Sequence, residues 1–169
     1  MARRGLYNDA PPLPSILGYD VVGEVVEAIC DEGKKLIGKR VVAMTRFGGY
    51  AEYAKTDVSG AVVISNDLEA VKASALATQY CTAYYGAMEC TNLFKGDRVL
   101  IHAAAGGVGT AVTQLAKIKG CEVIGLTSKE EKISYLKENG VDHPINTSKN
   151  DYIQTIKDIS NEKMDVIFN

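Results

Sequence analysis

The stretch that most constrains this chain is Ala103-Ala104-Ala105-Gly106-Gly107-Val108-Gly109. It lies between Arg98-Val99-Leu100-Ile101-His102, which reads as a buried strand, and Thr110 to Lys119, which reads as a helix with apolar Ala111, Val112, Leu115, Ala116 and Ile118. A chain that turns from strand to helix within so few residues needs positions without a side chain, and glycine supplies them. The alternation then continues. Glu122 to Leu126 reads as a strand, and Lys129 to Asn139 as a helix that stops at Gly140, a frequent helix end. His143 to Asn146 is a short strand, Asp151 to Ser160 a helix, and Met164 to Phe168 a last strand. Strands joined through helices run parallel, because the crossover returns the chain to the same end of the sheet. The expectation is a doubly wound α/β unit with helices on both faces.

The residues before 65 have a different texture. Val21 to Val26, Lys39 to Met44 and Tyr50 to Ala54 read as three short strands, with Gly48-Gly49 as a turn before the last. Strands at this spacing suggest a small barrel-like β unit. Asn66 followed by Glu69 resembles a capped helix start, and Ala-rich Ala70 to Met88 has room for two helical stretches. Two domains are therefore expected, 1–64 and 65–169. The last strand ends at Asn169 with about half of a doubly wound sheet accounted for, and three strands rarely close a barrel. The reading is a fragment of a longer protein, with the Met164–Phe168 strand as an exposed edge that invites association with further copies.

Charge excludes some partners. Nineteen Lys and Arg against 21 Asp and Glu leave a net charge of −2, so nothing steers the chain to nucleic acid or an anionic membrane. No apolar run approaches the roughly 18 residues of a membrane helix. The basic start Met1-Ala2-Arg3-Arg4-Gly5 is followed by polar residues and prolines rather than an apolar core, which argues against a signal peptide. Cys30, Cys81, Cys90 and Cys121 form no C-x-x-C pair, and His102 and His143 are the only histidines. The expectation is reduced, mostly buried thiols in a cytoplasmic protein, with both histidines structural.

Three positions of the glycine stretch match a G-x-G-x-x-G pattern: Ala104, Gly106 and Gly109. Gly106 lets backbone approach a pyrophosphate, Gly109 lets helix pack on strand, and the phosphates sit on free N–H groups at the helix start. The flanking strand and helix are the context this pattern requires, although a tight turn without ligand uses the same glycines. The next strand ends Leu126-Thr127-Ser128-Lys129, without the acid that binds ribose hydroxyls in NAD-preferring folds. Ser128 with Lys129 or Lys132 suits a 2′-phosphate, which favours NADP over NAD. Glu130 and Glu131 oppose this, and Ser128-x-x-Glu131 is also a capping box.

The run Leu100 to Gly109 followed by Gln114-Leu115-Ala116 resembles the medium-chain dehydrogenase/reductase superfamily, and within it the zinc-free quinone oxidoreductase branch. Arg4-Gly5-Leu6-Tyr7, Val22-Gly23-Glu24-Val25, Gly48-Gly49-Tyr50-Ala51-Glu52-Tyr53, Thr82-Ala83-Tyr84 and Lys95-Gly96-Asp97-Arg98-Val99 follow the family order from end to end. The resemblance implies a partial GroES-like β domain followed by the first half of a Rossmann doubly wound parallel sheet. It implies NADPH-dependent hydride transfer to a small-molecule quinone or α,β-unsaturated carbonyl by the full-length parent, with an inactive isolated fragment. An enoyl-thioester reductase and a non-catalytic nucleotide-binding relative are the alternatives. Ala104, Ala105, Gly106, Gly107, Val108, Gly109, Ser128 and Lys132 would bind the cofactor. Thr82 would touch the nicotinamide and Tyr7 would line the substrate site, unless Tyr7 is a surface turn residue and Thr82 bonds its own helix. Tyr80, Tyr84 and Tyr85 read as core. The zinc-dependent branch has Gly-His-Glu where this chain has Gly18-Tyr19-Asp20, and its later cysteine ligand falls on Thr78, so no metal is expected. Many quinone reductases carry a tyrosine after the Ile-Asn segment; here Thr147 follows Ile145-Asn146.

Overall fold

A computed structural model describes residues 2–9, 11–149 and 151–169. Met1, where the basic N-terminal stretch begins, lies outside them. The chain divides into two compact units, Met1–Thr78 and Gln79–Asn169. The composition change at residue 65 falls inside the first, and the assignment of domains to 1–64 and 65–169 remains a proposal from composition.

In the first unit, β1 (Asp20–Glu24), β2 (Arg40–Met44) and β3 (Ala61–Val63) form an antiparallel sheet in that order, with the short helix α1 (Asp31–Lys34) between the first two strands. Val22 lies opposite Val42, and Val41 opposite Val63. The central strand buries Val41, Val42 and Ala43, while Val62 and Val63 at the edge stay exposed. The third strand is not Tyr50–Ala54. That segment is held outside the ladder, because Gly49 and Tyr50 donate their N–H groups to the Gly18 and Leu17 carbonyls. Tyr50 and Tyr53 are exposed, so the expected alternation has no buried face to satisfy. Ala61-Val62-Val63 pairs with β2 instead. Asn66 caps no helix either. Ser65 Oγ accepts from the Asp67 N–H, closing a local turn, and α2 (Ala70–Ala75) starts after Glu69 without a side-chain cap.

A π-helical turn at Leu76–Tyr80, the short helix α3 (Cys81–Tyr84) and a second π-helical turn at Tyr85–Cys90 follow. The second unit then builds β4 (Arg98–Ile101), α4 (Gly107–Lys119), β5 (Glu122–Thr127), α5 (Ile133–Glu138), β6 (His143–Asn146), α6 (Tyr152–Ser160) and β7 (Val166–Phe168). The sheet is parallel throughout, in the order β6-β5-β4-β7. Chain order therefore reverses beside β4, which has β5 on one side and β7 on the other. In doubly wound sheets ligands bind outside the carboxyl ends of the strands at such a reversal. The architecture is α/β, with a Rossmann-type sheet in this unit.

Both faces of this sheet are covered. Val99, Ile101 and Val123 pack with Ala111, Val112, Ala116 and Leu136 on one face. Leu100, Ile124, Leu126 and Ile145 pack with Tyr152, Ile156 and Ile159 on the other. Successive strand residues point to opposite faces, so a strand buried on both reads as an unbroken apolar run. Helix ends follow local chemistry: Gly120 and Gly140 have φ of +80° and +92°, in the left-handed region that glycine reaches without cost. Across the amino ends of the strands, Glu122 accepts from Arg98 Nε at 2.8 Å and lies 2.9 Å from His143 Nε2. The Arg98 hydrogen bond, seconded by His143, holds the Glu122 carboxyl below the usual carboxylate range. Two expectations fail at side-chain level. Cys30, Cys81 and Cys90 are exposed, and Cys121 alone of the four is buried. Tyr84 and Tyr85 are also exposed, leaving Tyr80 to pack against the core. Small Ala83 and Ala87 take the inward positions of that helical stretch.

Candidate functional site

The loop from β4 to α4 reverses at Ala103, whose φ of +47° is uncommon for a residue with a side chain. Its carbonyl accepts from the Gly106 N–H at 2.8 Å, and the Ala104 N–H donates to the Leu126 carbonyl at 3.0 Å, so the loop is tied to itself and to β5. Ala104 is fully buried beneath the turn. Space for it comes from Gly125, where an added Cβ would lie 2.8 Å from Val141 and 3.1 Å from the Ala104 methyl.

The glycines do different work. A Cβ at Gly109 would stand 2.5 Å from the Ala103 carbonyl oxygen and 2.7 Å from Ala104 Cα, so this glycine lets the helix sit against the loop. A Cβ at Gly107 would run into the Gln79 side-chain amide at 2.1 Å. At Gly106 the nearest group is the Ala103 carbonyl at 3.1 Å, and the backbone is ordinary extended chain, φ −88° and ψ 172°. Conformation does not demand glycine at 106, while a Cβ there would need the Ala103 carbonyl to yield by a few tenths of an ångström. What a side chain there would obstruct is access to the start of α4. No side chain caps that helix, and the N–H groups of its first turn have no carbonyl of their own helix to meet. Oriented N–H groups with an open approach fit a phosphate.

In front of them lies a cavity of ≈ 370 Å³. Four of the residues expected from the sequence line it: Ala105, Gly106, Ser128 and Lys132. Ala104 and Gly109 form the packed base of the turn. Gly107 and Val108 occupy the first helical turn. His102, Thr127, Lys129 and Thr147 complete the polar wall. His102, expected to be structural, is exposed and lines the cavity, while His143 makes the structural contact to Glu122. Thr147 donates its N–H to the Thr127 carbonyl at 2.8 Å, which fixes the cavity floor.

Charge around the cavity differs from its sequence impression. The Ser128 capping box does not form: the 3₁₀ turn Glu130–Lys132 has Lys129 as its cap, without a side-chain bond. Ser128 is exposed, and Lys132 has no carboxylate partner among the described residues. Glu131 pairs loosely with Lys129, at 3.8 Å. Glu130 points the other way, to Asn146 Nδ2 at 2.6 Å and Lys149 Nζ at 3.6 Å. The Asn146 hydrogen bond, with Lys149 behind it, keeps its carboxyl below the usual range.

Tyr7 lies in the first unit and Thr82 in the second. The Tyr7 ring stands edge-on to Tyr19, centroids 6.4 Å apart, and Tyr19 packs on Phe47 at 4.8 Å. The hydrogen bond to Tyr7, with some loss of solvent, pushes the Tyr19 phenol up to about 12. Thr82 is exposed on α3. Asp20, beside Tyr19, accepts from the Thr78 hydroxyl at 2.6 Å and the Thr78 N–H at 3.1 Å. Among the described residues no three His, Cys, Asp or Glu side chains are grouped to hold a metal.

Residues 107–169 match the family model described as zinc-binding dehydrogenase. The synaptic vesicle membrane protein VAT-1 homolog of Mus musculus is 37% identical over 168 residues, covering 99% of this chain and 41% of the relative. Quinone oxidoreductase of Homo sapiens is 34% identical, covering 98% of this chain and 51% of the relative. Among solved structures, the human VAT-1 homolog-like protein superposes with a TM-score of 0.87 at 33% identity, over 99% of this chain and 52% of that one. A Pseudomonas syringae quinone oxidoreductase does so with 0.84 at 32%, over 95% and 50%. The chain thus spans about 41–52% of the length of these relatives.

Proposed function

Because the chain belongs to the medium-chain dehydrogenase/reductase superfamily, we propose that it supplies the adenosine-phosphate half of the cofactor site in an NADPH-dependent oxidoreductase that reduces a quinone or an α,β-unsaturated carbonyl. The observation that carries this reading is the uncapped helix start after Gly106, which faces a cavity edged by Ser128 and Lys132. The α4 N-terminus takes the pyrophosphate; Ser128 donates to the 2′-phosphate, and Lys132 neutralises it. Bound NADPH supplies the hydride. Thr82 is proposed to touch the nicotinamide, and Tyr7 to line the substrate site beside Tyr19. The chain's part is to position the reactants and keep them dry, and no side chain need act as nucleophile.

Zinc takes no part in this reading. By the resemblance, Tyr19 and Thr78 stand where the zinc-dependent branch has a histidine and a cysteine ligand, and Asp20 follows Tyr19. A phenol held protonated by Tyr7 is a poor ligand, and the Asp20 carboxylate is committed to Thr78. The donor set does not fit the metal that the family description names. Cytoplasmic localisation is likewise proposed: no described helix is long and apolar enough to cross a membrane, while two relatives carry a vesicle-membrane name.

The test is titration of the protein with NADPH and NADH, followed by nicotinamide fluorescence, alongside elemental analysis. Tighter binding of NADPH without stoichiometric zinc is the expected result. Equal affinity for both cofactors refutes the 2′-phosphate assignment, and about one zinc per chain refutes the metal-free reading.

A further inference from the structure

Glu130 and Lys132 lie two positions apart on the same 3₁₀ turn, yet their charges serve different cavities. Lys132 lines the one in front of the glycine loop. Glu130 lines another, ≈ 380 Å³, bounded by α5, β6 and α6. Asn146 lines the second cavity with Glu130. It ends β6, is 7% exposed, and donates Nδ2 to Glu130 Oε2 at 2.6 Å. Its orientation is fixed from the other side, because its Oδ1 accepts from the Ser148 N–H at 2.9 Å and the Ser148 hydroxyl at 2.8 Å. The amide therefore cannot flip without losing three bonds. Lys149 Nζ adds a weaker hold at 3.6 Å.

We propose that Asn146 is a positioning residue for cofactor choice, holding the Glu130 carboxylate out of the glycine-loop cavity so that this cavity accepts a 2′-phosphate. Glu130 sits two residues after Ser128. A carboxylate released at that point has a flexible side chain with which to turn towards the cavity wall. There it would repel a phosphate dianion or accept from ribose hydroxyls, the role acids play in folds that prefer NAD. Preference for the phosphorylated nucleotide then depends on a hydrogen bond made behind the site as well as on the cations in front of it. This rests on the NADPH reading above.

The test compares adenosine 2′,5′-bisphosphate with adenosine 5′-monophosphate by calorimetry on the whole chain. Asn146→Asp keeps the acceptor that Ser148 needs and turns the donor facing Glu130 into a like charge. It is expected to reduce the preference for the 2′-phosphate about tenfold, as expected for one unit charge brought near another at the protein surface. Adding Glu130→Gln should restore the preference, since the released group is then neutral. Lys149→Met, at an exposed position that leaves folding intact, should move the ratio in the same direction by about threefold, and only while Glu130 is present. An unchanged ratio in Asn146→Asp, or a loss that persists with Gln at 130 in either pair, overturns the inference. No preference for the 2′-phosphate in the unaltered chain overturns the cofactor reading, and the inference with it. A preference that survives release of Glu130 overturns the inference alone.

Discussion

The two sheets show what burial does for a strand. In the parallel sheet, β4 and β5 are covered on both faces, and Val99, Ile101, Val123 and Ile124 are all but inaccessible. In the antiparallel sheet only β2 is buried along its middle, and its neighbours leave Val62, Val63 and the Met44 side chain in solvent. Position in the first sheet is over-determined by packing. Position in the second rests more on backbone pairing and on local turns, such as Asp57 accepting from Ser59 N. The cavity in front of the glycine loop is built on the first kind of frame.

The largest expected contrast follows directly. Ile124→Ala should cost ~2–5 kcal/mol, because it leaves a void in a core with no room to relax. Val62→Ala should stay within about 0.5 kcal/mol, as most exposed substitutions do. Urea denaturation of both variants measures the difference, and comparable losses would erase the distinction between the sheets.

Next in size is the cavity's own chemistry. Ser128→Ala with Lys132→Ala should abolish the preference for NADPH over NADH, at roughly 1.5–3 kcal/mol for each charge-assisted bond lost. Both side chains are exposed, so unfolding midpoints should hardly move. Competition between the two cofactors, read by fluorescence, checks it.

A smaller effect concerns acid stability. Glu122 has its carboxyl lowered from 4.5 in the fold, chiefly by Arg98 and then by His143. A group lowered on folding adds stability above its unfolded value, and that contribution fades as pH falls through the folded one. Partial exposure of all three side chains keeps it modest. Glu122→Gln should therefore lower stability near neutrality and flatten the loss below about pH 4.5. Denaturation midpoints across the acid range decide whether the bridge spans the strands as described.

The same contrast explains what could be read from residues alone. Arg98 to Phe168 declared its strands and helices because each buried strand is an apolar run and each helix has one apolar side. Gly140 marked a helix end through a conformation that other residues avoid. Tyr50 to Ala54 misled because alternation was present without a partner strand, and the backbone went to Leu17 and Gly18 instead. Ser65 likewise holds a local turn where Asn66 was expected to cap a helix. In the site, the glycine spacing was legible, though the strained turn falls on Ala103 and the pattern pointed to Ala104. Ser128 and Lys132 were legible as a polar pair. The direction of Glu130 was not, since it depends on an asparagine 16 residues later on another strand. His102 was missed for a similar reason: whether a residue at a strand end faces a cavity is a property of the closed loop.

The central claim is that the turn after β4 receives a cofactor pyrophosphate at Gly106. Gly106→Val tests it most directly, because the extended φ and ψ at 106 are open to any residue, the added Cβ asks only a few tenths of an ångström of the Ala103 carbonyl, and the branched side chain fills the approach to the α4 N–H groups. NADPH titration of this variant and the parent, with circular dichroism to confirm the fold, is the decisive measurement. Loss of binding by at least about tenfold, with the unfolding midpoint retained, is the predicted result, equivalent to some 1.4 kcal/mol of binding energy. A folded variant that binds NADPH as the parent does would contradict the account.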